Sequence, residues 1–256
     1  MEKNRRPAPR TEDESVIVGR NPVMELLKSG RDVEKLYIQK GEREGSITKI
    51  FAEAKKRGIV ISEVDKKRLD ELSFGNAHQG VAAIASSVEY KTIEQIVEIA
   101  REKGEKPLIV VCDGVEDPHN LGAIIRCADG AGAHGIVISK RHCPVIGQTV
   151  FKSSAGAASY VPIAKVANIA SAVEELKELG VWTFAAEADG VHYKNADFDG
   201  ACAIVLGSEG DGVSRLVREK CDFTVSIPMR GHVNSLNVST AAAVLLFEAA
   251  QKQGRN

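Results

Sequence analysis

The segment PLIVVCDGVEDPHNLGAIIRCADGAGAHGIVISK, residues 107–140, decides the fold of the second half of this chain. It opens with an apolar run of strand length, LIVVC, and closes with another, GIVIS. Between the two runs, four residues share the i, i+3, i+4, i+7 spacing of one helix face: Leu121, Ile124, Ile125 and Ala128. This strand, helix, strand order predicts a parallel sheet that is covered by helices.

The same alternation continues toward the end of the chain and predicts one α/β domain over residues 107–256. Further β-type runs are VPIAKV, VWTFAAEA, CAIVLGSE and FTVSIPM, and helices are expected over 120–130, 168–179, 212–219 and 236–252. Ligands of open α/β sheets bind outside the carboxyl ends of the strands. The loops that follow three of these strands, 113–120, 207–212 and 229–237, are therefore the candidate site.

The first part of the chain predicts a second, smaller α/β domain over residues 15–88, because short β-type runs alternate there with helical stretches. Residues 89–106 carry many charges and some apolar residues at helical spacing, which indicates a helical linker. Residues 1–14 mix Pro, Arg and acids with no apolar periodicity. We expect them to form a disordered tail.

The charge of the chain is unevenly distributed, although its formal sum is only -1. Residues 15–88 carry 13 Lys and Arg against 10 Asp and Glu, whereas residues 107–256 carry 13 against 16. The smaller domain is thus the expected contact for an anionic polymer. Its clusters Lys55-Lys56-Arg57 and Lys66-Lys67-Arg68 fit phosphate contacts, but they also fit solvated helix faces.

Several classes of protein are excluded by composition. No stretch reaches the roughly 20 apolar residues of a membrane span, and the beginning of the sequence lacks the apolar segment of a secretory signal. We expect a cytoplasmic protein without membrane contact. The five cysteines are odd in number and never spaced as Cys-x-x-Cys, so we predict neither a disulfide framework nor a metal site, and we interpret most of them as small buried hydrophobic residues.

Residues 130–135, GAGAHG, match the G-x-G-x-x-G pattern of dinucleotide-binding proteins. That pattern works where a strand precedes it and a helix follows, because the helix N-terminus holds the pyrophosphate. Here a predicted helix precedes it and the strand GIVISK follows. The stretch therefore predicts a helix-to-strand turn, and a nicotinamide-dependent oxidoreductase is a minor alternative.

Three further segments occur in a characteristic order: DPHNLGAIIRCA at 117–128, LGSEGDG at 206–212, and IPMRG at 227–231 through SLNVS at 235–239. They resemble motifs one, two and three of the SpoU/TrmH family of RNA 2'-O-ribose methyltransferases, within the SPOUT class. The resemblance covers essentially all of residues 107–252. In the first domain, GRNPV at 19–23 and HQGVA at 78–82 resemble the substrate-binding domain of bacterial members, which is similar to small RNA-binding ribosomal proteins.

The resemblance implies an α/β protein with two parts. The C-terminal SPOUT domain would have a parallel sheet and a deep trefoil knot, and the small N-terminal domain would be ribosomal-protein-like and bind RNA. It also implies S-adenosyl-L-methionine as cofactor, no metal, and a homodimer that pairs through the knot region. The expected reaction is 2'-O-methylation of a guanosine in 23S ribosomal RNA, with a tRNA guanosine as the alternative substrate.

The resemblance also assigns site residues. The catalytic group would be Asn120, Arg126, Glu209 and Asn237. The positions that bind the methyl donor would be Leu206, Gly207, Ile227, Met229, Ser235 and Leu236. From the residues alone, Asn120, Ser235 and Asn237 could equally be ordinary helix caps, and an acidic glycine-rich turn such as 207–212 is common.

Arg126 stands one step off the apolar stripe of its helix, so it can face a cleft. A guanidinium has five donors, no acceptor and a pKa above about 12, which makes it a poor base. We expect it to bind the neighbouring phosphate and stabilise the developing alkoxide, with Glu209 organising Arg126 and Asn120 through charge-assisted hydrogen bonds. His119 and Arg230 receive no role. A non-catalytic RNA-binding or ribosome-assembly factor would be expected to show degraded motifs.

Overall fold

A computed structural model describes residues 16–29, 31–41, 44–73 and 76–255. The disordered tail predicted for residues 1–14 lies outside the described residues. The chain divides into two compact units, Met1–Ser87 and Val88–Asn256.

The first unit is a four-stranded sheet with helices. Its elements are β1 (Val16–Val18), α1 (Arg20–Lys28), β2 (Val33–Gln39), α2 (Ser46–Lys56), β3 (Ile61–Val64), α3 (Lys66–Leu72) and β4 (Val81–Ala85). The strand order is β1-β4-β2-β3, and β4 runs antiparallel to both of its neighbours. Helices α1 and α2 contribute Val23 and Ile50 to the same buried cluster as Leu36 of β2, which makes this unit a small α/β core of its own.

Each of the two basic clusters predicted in this unit contains an arginine that bonds other residues of the unit. The Arg57 guanidinium donates to the carbonyl oxygens of Leu27 and Arg31 at 2.6 and 2.7 Å, so it fastens α2 to the end of α1. Arg68 pairs with Glu71 at 3.0 Å. These two arginines therefore have structural partners within the unit, whatever else they contact.

The second unit is a seven-stranded sheet. Its elements are β5 (Tyr90–Lys91), α4 (Ile93–Glu102), β6 (Leu108–Cys112), α5 (Pro118–Gly130), β7 (Gly135–Ser139), α6 (Gln148–Ser153), β8 (Ile163–Val166), α7 (Ile169–Glu178), β9 (Trp182–His192), β10 (Cys202–Leu206), α8 (Arg215–Lys220), β11 (Phe223–Ser226) and α9 (Val238–Lys252). The order is β11-β9-β10-β6-β7-β8-β5, and every pairing is parallel.

The sheet is covered on both faces, which explains why its strands are continuous apolar runs. Along β6, Leu108 and Val110 belong to one buried cluster, with α5 and α9, while Ile109 and Val111 belong to the other, with α4 and α7. The α/β fold with a parallel sheet that the sequence predicted is confirmed. The trefoil knot stays a prediction.

Residues 89–106, predicted as a linker, lie within the second unit. They form the edge strand β5 and the helix α4, whose Ile93, Ile96 and Val97 are buried in the core. The helix begins with a capping box in which Thr92 and Gln95 bond each other's backbone N–H groups. The many charges of this segment lie on the outer face of an amphipathic helix, which is why its composition resembles a linker.

The stretch 130–135 has the predicted geometry of a helix-to-strand turn. Helix α5 ends at Gly130 and strand β7 begins at Gly135. A pyrophosphate site would instead have a strand before the glycine-rich turn and a helix after it. No helix in the described part of the chain is long and apolar enough to cross a membrane.

Candidate active site

The candidate site lies where the strand order of the large sheet reverses. From β6 the chain continues to β7 on one side, whereas β10 pairs with the other side of β6. Such a switch point leaves a crevice outside the carboxyl ends of the two central strands. A cavity of about 480 Å³ opens there, and its lining residues are Gly114, Val115, Glu116, Asp117, Asn120, His142, Ser208, Glu209, Asp211 and Val238.

Helix α5 brings Asn120 to this crevice. The helix is capped by Asp117, whose Oδ1 accepts the backbone N–H groups of His119 and Asn120 at 2.7 and 2.9 Å, and Pro118 occupies the first turn. The interpretation of Asn120 as the helix cap is therefore wrong. Because Asp117 satisfies the backbone donors, the Asn120 side chain is available for other bonds.

The first turn of α5 is fixed against α6 at Gly122. A Cβ atom built on Gly122 would lie 1.9 Å from the Ser153 Oγ and 2.8 Å from the Val150 carbonyl oxygen. The Ser153 hydroxyl in turn donates to the Pro118 carbonyl oxygen at 3.1 Å. Only glycine allows this close approach, so the packing sets the position of the helix end that carries Asn120.

Glu209 stands at the tip of a closed turn after β10. The backbones of Ser208 and Gly212 exchange two hydrogen bonds, at 3.0 and 3.2 Å, and close the turn. A Cβ atom on Gly207 would lie 1.9 Å from the Gly212 carbonyl carbon. Gly210 and Gly212 have φ values of +102° and +70°, which favour glycine. The glycines of the GSEGDG string are thus required by the shape of the turn.

Asn120, Glu209 and Asn237 form one hydrogen-bonded cluster, although they are far apart in sequence. Glu209 Oε1 accepts from Asn120 Nδ2 at 2.9 Å and from Asn237 Nδ2 at 2.6 Å. Asn237 Nδ2 also donates to Asn120 Oδ1 at 3.0 Å. The structure therefore brings together three of the four residues that the sequence assigned to catalysis.

Asn237 has a second task. Its Oδ1 accepts the backbone N–H of Ser239 at 2.9 Å and the Ser239 hydroxyl at 2.6 Å, so it is also the N-cap of α9. Asn237 is therefore both a helix cap and a member of the cluster, so the two interpretations of this residue are compatible. Its amide is held in one orientation because each end has its own partners.

Arg126 lies outside this cluster. It is exposed on α5 and is not among the residues that line the cavity. It lies six positions after Asn120, and at 3.6 residues per turn this places the two side chains on different faces of the helix. In the described chain Glu209 holds the two asparagines, whereas the sequence predicted that it would organise Arg126 as well.

The residues predicted to bind the methyl donor lie at the end of β10 and along the segment between β11 and α9. Leu206 and Gly207 are buried, so Leu206 can offer a ligand only its backbone. The other predicted positions are accessible: Ile227 and Met229 are half-buried, and Ser235 and Leu236 are exposed. Exposed apolar side chains beside strand-end backbone groups fit a ligand with apolar and polar parts, such as S-adenosylmethionine.

Sequence reasoning missed His142, which lines the cavity from a loop outside the three predicted ones. His142, which follows β7, pairs through Nδ1 with Glu116 Oε1 at 2.9 Å. Its φ of +55° is unusual for a non-glycine residue. His142 could have been identified from its place after the strand GIVIS, because the carboxyl ends of parallel strands meet at one edge of a sheet.

Cys112 on β6 and Cys127 on α5 are poor nucleophiles, and the described residues offer no metal centre. All five cysteines are thiols. Burial raises the pKa of Cys112, at the end of β6, and of Cys127 on α5, although Arg126 opposes the second shift. Both therefore stay protonated and make poor nucleophiles. Among the described residues, no group of three or more His, Cys, Asp or Glu side chains could hold a metal ion.

The fold is similar to that of solved SpoU methyltransferases. The SpoU methyltransferase AviRb from Streptomyces viridochromogenes, in complex with AdoMet, has a TM-score of 0.58 at 24% identity and covers 94% of this chain and 91% of its own. The AdoMet-bound rRNA methyltransferase from Sinorhizobium meliloti has a TM-score of 0.55 at 25% identity and covers 92% and 86%. The sheet and its switch-point crevice thus have the fold of the SpoU methyltransferases.

The sequence is similar to the same group of proteins. Residues 107–247 match the SpoU rRNA Methylase family, and residues 16–91 match the RNA 2'-O ribose methyltransferase substrate binding family. A protein assigned to the TrmH family of tRNA/rRNA methyltransferases in Staphylococcus haemolyticus is 45% identical over 243 residues, covering 94% of this chain and 97% of that protein. YacO of Bacillus subtilis, assigned likewise, is 43% identical over 238 residues, covering 93% and 95%.

This chain therefore belongs to the SpoU/TrmH family of RNA methyltransferases, as the three motifs predicted. S-adenosylmethionine is its expected cofactor, because members of the family with this fold bind it.

Proposed function

We propose that this enzyme transfers a methyl group from S-adenosylmethionine to the 2'-hydroxyl of a guanosine in 23S ribosomal RNA. The observation that carries the proposal is the cluster of Asn120, Glu209 and Asn237 at the switch point of the sheet. Ribose as the target is supported by the first unit, which matches a substrate-binding family of RNA 2'-O ribose methyltransferases. Ribosomal RNA is supported by the name of the family that matches the second unit.

The methyl donor would lie against the loops after β10 and β11. We assign to it the backbone of Leu206 and Gly207 and the side chains of Ile227, Met229 and Leu236, with Ser235 beside them. When bound, S-adenosylmethionine supplies a methyl group on a positively charged sulfur that leaves as a neutral thioether. The leaving group is thus already activated, and no metal is needed for the displacement.

The protein's task is to place the ribose oxygen in line with that methyl group. A cavity of about 480 Å³ is within the size range of small-ligand sites and can admit a ribose. Glu209 fixes the amides of Asn120 and Asn237 through two hydrogen bonds to one oxygen. A fixed wall of this kind orients the sugar before reaction and needs no reorganisation during it.

Arg126 would stabilise charge as the ribose hydroxyl loses its proton. Its guanidinium can bind both the neighbouring phosphate and the developing alkoxide, and it has no lone pair with which to act as a base at neutral pH. Because Arg126 and Asn120 lie on different faces of α5, one protomer alone does not bring them to the same cavity. A second protomer offers a route for Arg126 to reach a site.

We propose that the enzyme is a homodimer that pairs through a groove formed by α5, α9 and the chain near Lys194. This groove has a volume of about 680 Å³, and Gly130 and Phe247 are among its lining residues. Phe247 is 51% exposed beside this groove, and exposed aromatic side chains are enriched where protein surfaces pair. Arg126 lies four residues before Gly130 and therefore on the same face of α5, so pairing here would bring it toward the partner.

A tRNA guanosine is the second candidate substrate, because the relatives of this chain are assigned to a group that acts on either RNA. The first unit supports RNA binding in both cases and does not distinguish them.

The test is transfer of tritiated methyl from S-adenosylmethionine to 23S rRNA and to tRNA, each prepared without native modifications, by the wild type and by Arg126→Ala. We expect label in 23S rRNA, released by alkali as a 2'-O-methylguanosine dinucleotide, and almost none with Arg126→Ala. Label in tRNA alone would establish the second candidate. Alkali-labile label, or label on a base, would contradict 2'-O-methylation.

A further inference from the structure

Strand β9 contains a register shift next to the candidate site, and residues 186–190, where it occurs, form an excursion from the regular pairing. Strand β11 pairs with β9 as far as Thr224 opposite Ala185, and pairing resumes with Val225 opposite Val191. Residues 186–190 lie between these pairs and remain part of the strand, so they form a large β-bulge in the ladder. The excursion is tightly anchored, since a Cβ atom on Gly190 would lie 2.5 Å from the carbonyl carbon of Thr224.

Glu187, in this excursion, reaches the base of the turn that carries Glu209. Its Oε1 accepts the backbone N–H of Val213 at 2.6 Å. It also lies only 2.8 Å from where a Cβ atom on Gly212 would be, so the carboxylate rests directly on the backbone of the turn. Val213 is buried and Glu187 is half-buried, which makes this a shielded hydrogen bond.

The next amide along the chain is held in the same way from another strand. Asp113, which follows β6, accepts the backbone N–H of Ser214 at 2.8 Å through Oδ2. The excursion is also tied to α8, where Asp189 receives two hydrogen bonds from Arg218, at 2.9 and 2.7 Å. Two consecutive amides at the base of the turn are thus fixed by carboxylates from two different strands.

We propose that Glu187 is a positioning residue for the methyl-donor loop, residues 206–213, and through it for Glu209. The loop is rich in glycine and has little conformational preference of its own. Its closed shape therefore depends on bonds to its base, and removing the acceptor would leave the Val213 N–H buried without a partner. This inference rests on the proposed donor site at Gly207, although its test does not require that the RNA substrate be known.

The experiment measures binding of S-adenosylmethionine to the full chain by calorimetry, with three substitutions at one position. Glu187→Ala removes the acceptor, Glu187→Gln keeps an acceptor of equal reach, and Glu187→Asp keeps the charge but shortens the side chain by one methylene. We expect the dissociation constant to rise about tenfold for Ala and Asp, which corresponds to about 1.4 kcal/mol, and to stay within about threefold for Gln. The control is Glu98→Ala, which removes an exposed pair with Arg101 at 3.5 Å on helix α4.

Hydrogen exchange of the unliganded protein provides a second readout. We expect faster exchange of the amides of residues 207–214 in Glu187→Ala and Glu187→Asp, with α4 and α7 unchanged, and wild-type exchange in Glu187→Gln. Wild-type binding and exchange in Glu187→Ala would overturn the proposal, and so would equal losses in Gln and Ala. Failure of the proposed function would give a different result from failure of this inference. In that case the wild type would bind S-adenosylmethionine but would label neither RNA.

Discussion

At the scale of single residues, Asn120 and Asn237 share Glu209 but differ in what else they do. Asn237 also caps α9, whereas Asp117 caps the helix that carries Asn120. We predict that Asn120→Ala lowers kcat about 100-fold with little change in stability, because it disturbs only the alignment of the site. Asn237→Ala should lower kcat similarly and also cost about 1 kcal/mol of stability through the lost cap.

Methyl-transfer rates and denaturant unfolding of the two variants check this prediction. Ser171→Ala is a suitable control for the stability measurement, since its backbone N–H, and not its side chain, bonds the cap of α7. Equal destabilisation by Asn120→Ala and Asn237→Ala would show that Asn120 has a structural task that its hydrogen bonds do not reveal.

His134 gives the second unit a dependence on pH. Its Nδ1 accepts the Leu108 N–H at 3.1 Å, and its Nε2 bonds Glu105 at 3.1 Å. Burial, together with Arg255 and Lys103, lowers the pKa of His134 to about 4 against the opposing effect of Glu105. The unfolded chain therefore binds this proton more readily than the folded protein, so stability is complete above about pH 6.5 and falls as the pH drops toward 4.

We expect the free energy of unfolding to fall by about 2 kcal/mol between pH 7.5 and pH 5 from this group alone. Unfolding in urea at the two pH values, for the wild type and for His134→Gln, measures it. The difference between the two pH values should shrink in the variant. An identical pH dependence in both proteins would assign the effect to other groups.

At the scale of elements, helix α5 depends on its contact with α6. Gly122→Ala would place a Cβ atom 1.9 Å from the Ser153 Oγ and 2.8 Å from the Val150 carbonyl oxygen, so the helices must separate. Overpacking of this kind typically costs about 1–3 kcal/mol. We predict that loss of stability and a fall in kcat, because the start of α5 carries Asn120.

Gly130→Ala on the same helix is the matched control. Its added Cβ atom would meet only the Phe247 ring, at 3.4 Å, and Gly130 lies at the end of the helix. Thermal unfolding should show little change, which is the property this control tests. If Gly122→Ala were as stable as Gly130→Ala and as active as the wild type, the contact with α6 would not position the site.

Most elements of the large sheet could be predicted from sequence, because buried parallel strands are continuous apolar runs. The predicted helix starting near 120 begins two residues earlier, at Pro118, since the cap is Asp117. The six residues of α6 are too few to show a helical period, and the two-residue strand β5 has no pattern at all. Strand β9 extends to His192, beyond the predicted run VWTFAAEA, and this extension was missed because the apolar run is interrupted at the register shift of residues 186–190.

The part of the site that could be predicted consists of residues that belong to the three motifs or follow the ends of strands. That Asn120, Glu209 and Asn237 would meet follows from the common edge of parallel strands and from the resemblance. The bonds from Glu187 and Asp113 to consecutive backbone amides have no sequence signal, because any residue offers an amide. The position of Arg126 relative to the cavity depends on helix rotation, which the apolar stripe indicates only approximately.

At the scale of the whole molecule, the groove beside Phe247 should control assembly. We predict that Phe247→Glu yields a monomer by size-exclusion chromatography with light scattering, with dimer affinity lowered at least roughly 30-fold, about 2 kcal/mol. Leu216→Glu is the control, because Leu216 is similarly exposed, at 55%, on α8 and outside the groove. A Phe247→Glu dimer of wild-type affinity would exclude this groove as the interface.

A mixture of two inactive variants tests whether sites are completed across the dimer. If Arg126 serves the partner's cavity, subunits of Arg126→Ala and Glu209→Ala should combine to restore about a quarter of wild-type activity, because half of the random dimers are mixed and each mixed dimer has one intact site. If Arg126 serves its own cavity, mixing restores nothing. Methyl transfer after unfolding and refolding the mixture is the measurement.

The wide spacing of the cluster in the sequence has a consequence for the timing of activity in the cell. Asn120 and Asn237, which bond each other, are separated by 117 residues. At a synthesis rate of about 5–20 residues per second, the ribosome makes Asn237 about 6 to 23 seconds after Asn120. A nascent chain that has already folded its first unit therefore cannot yet form the cluster, so its second unit gains the complete candidate site only after Asn237 has been made.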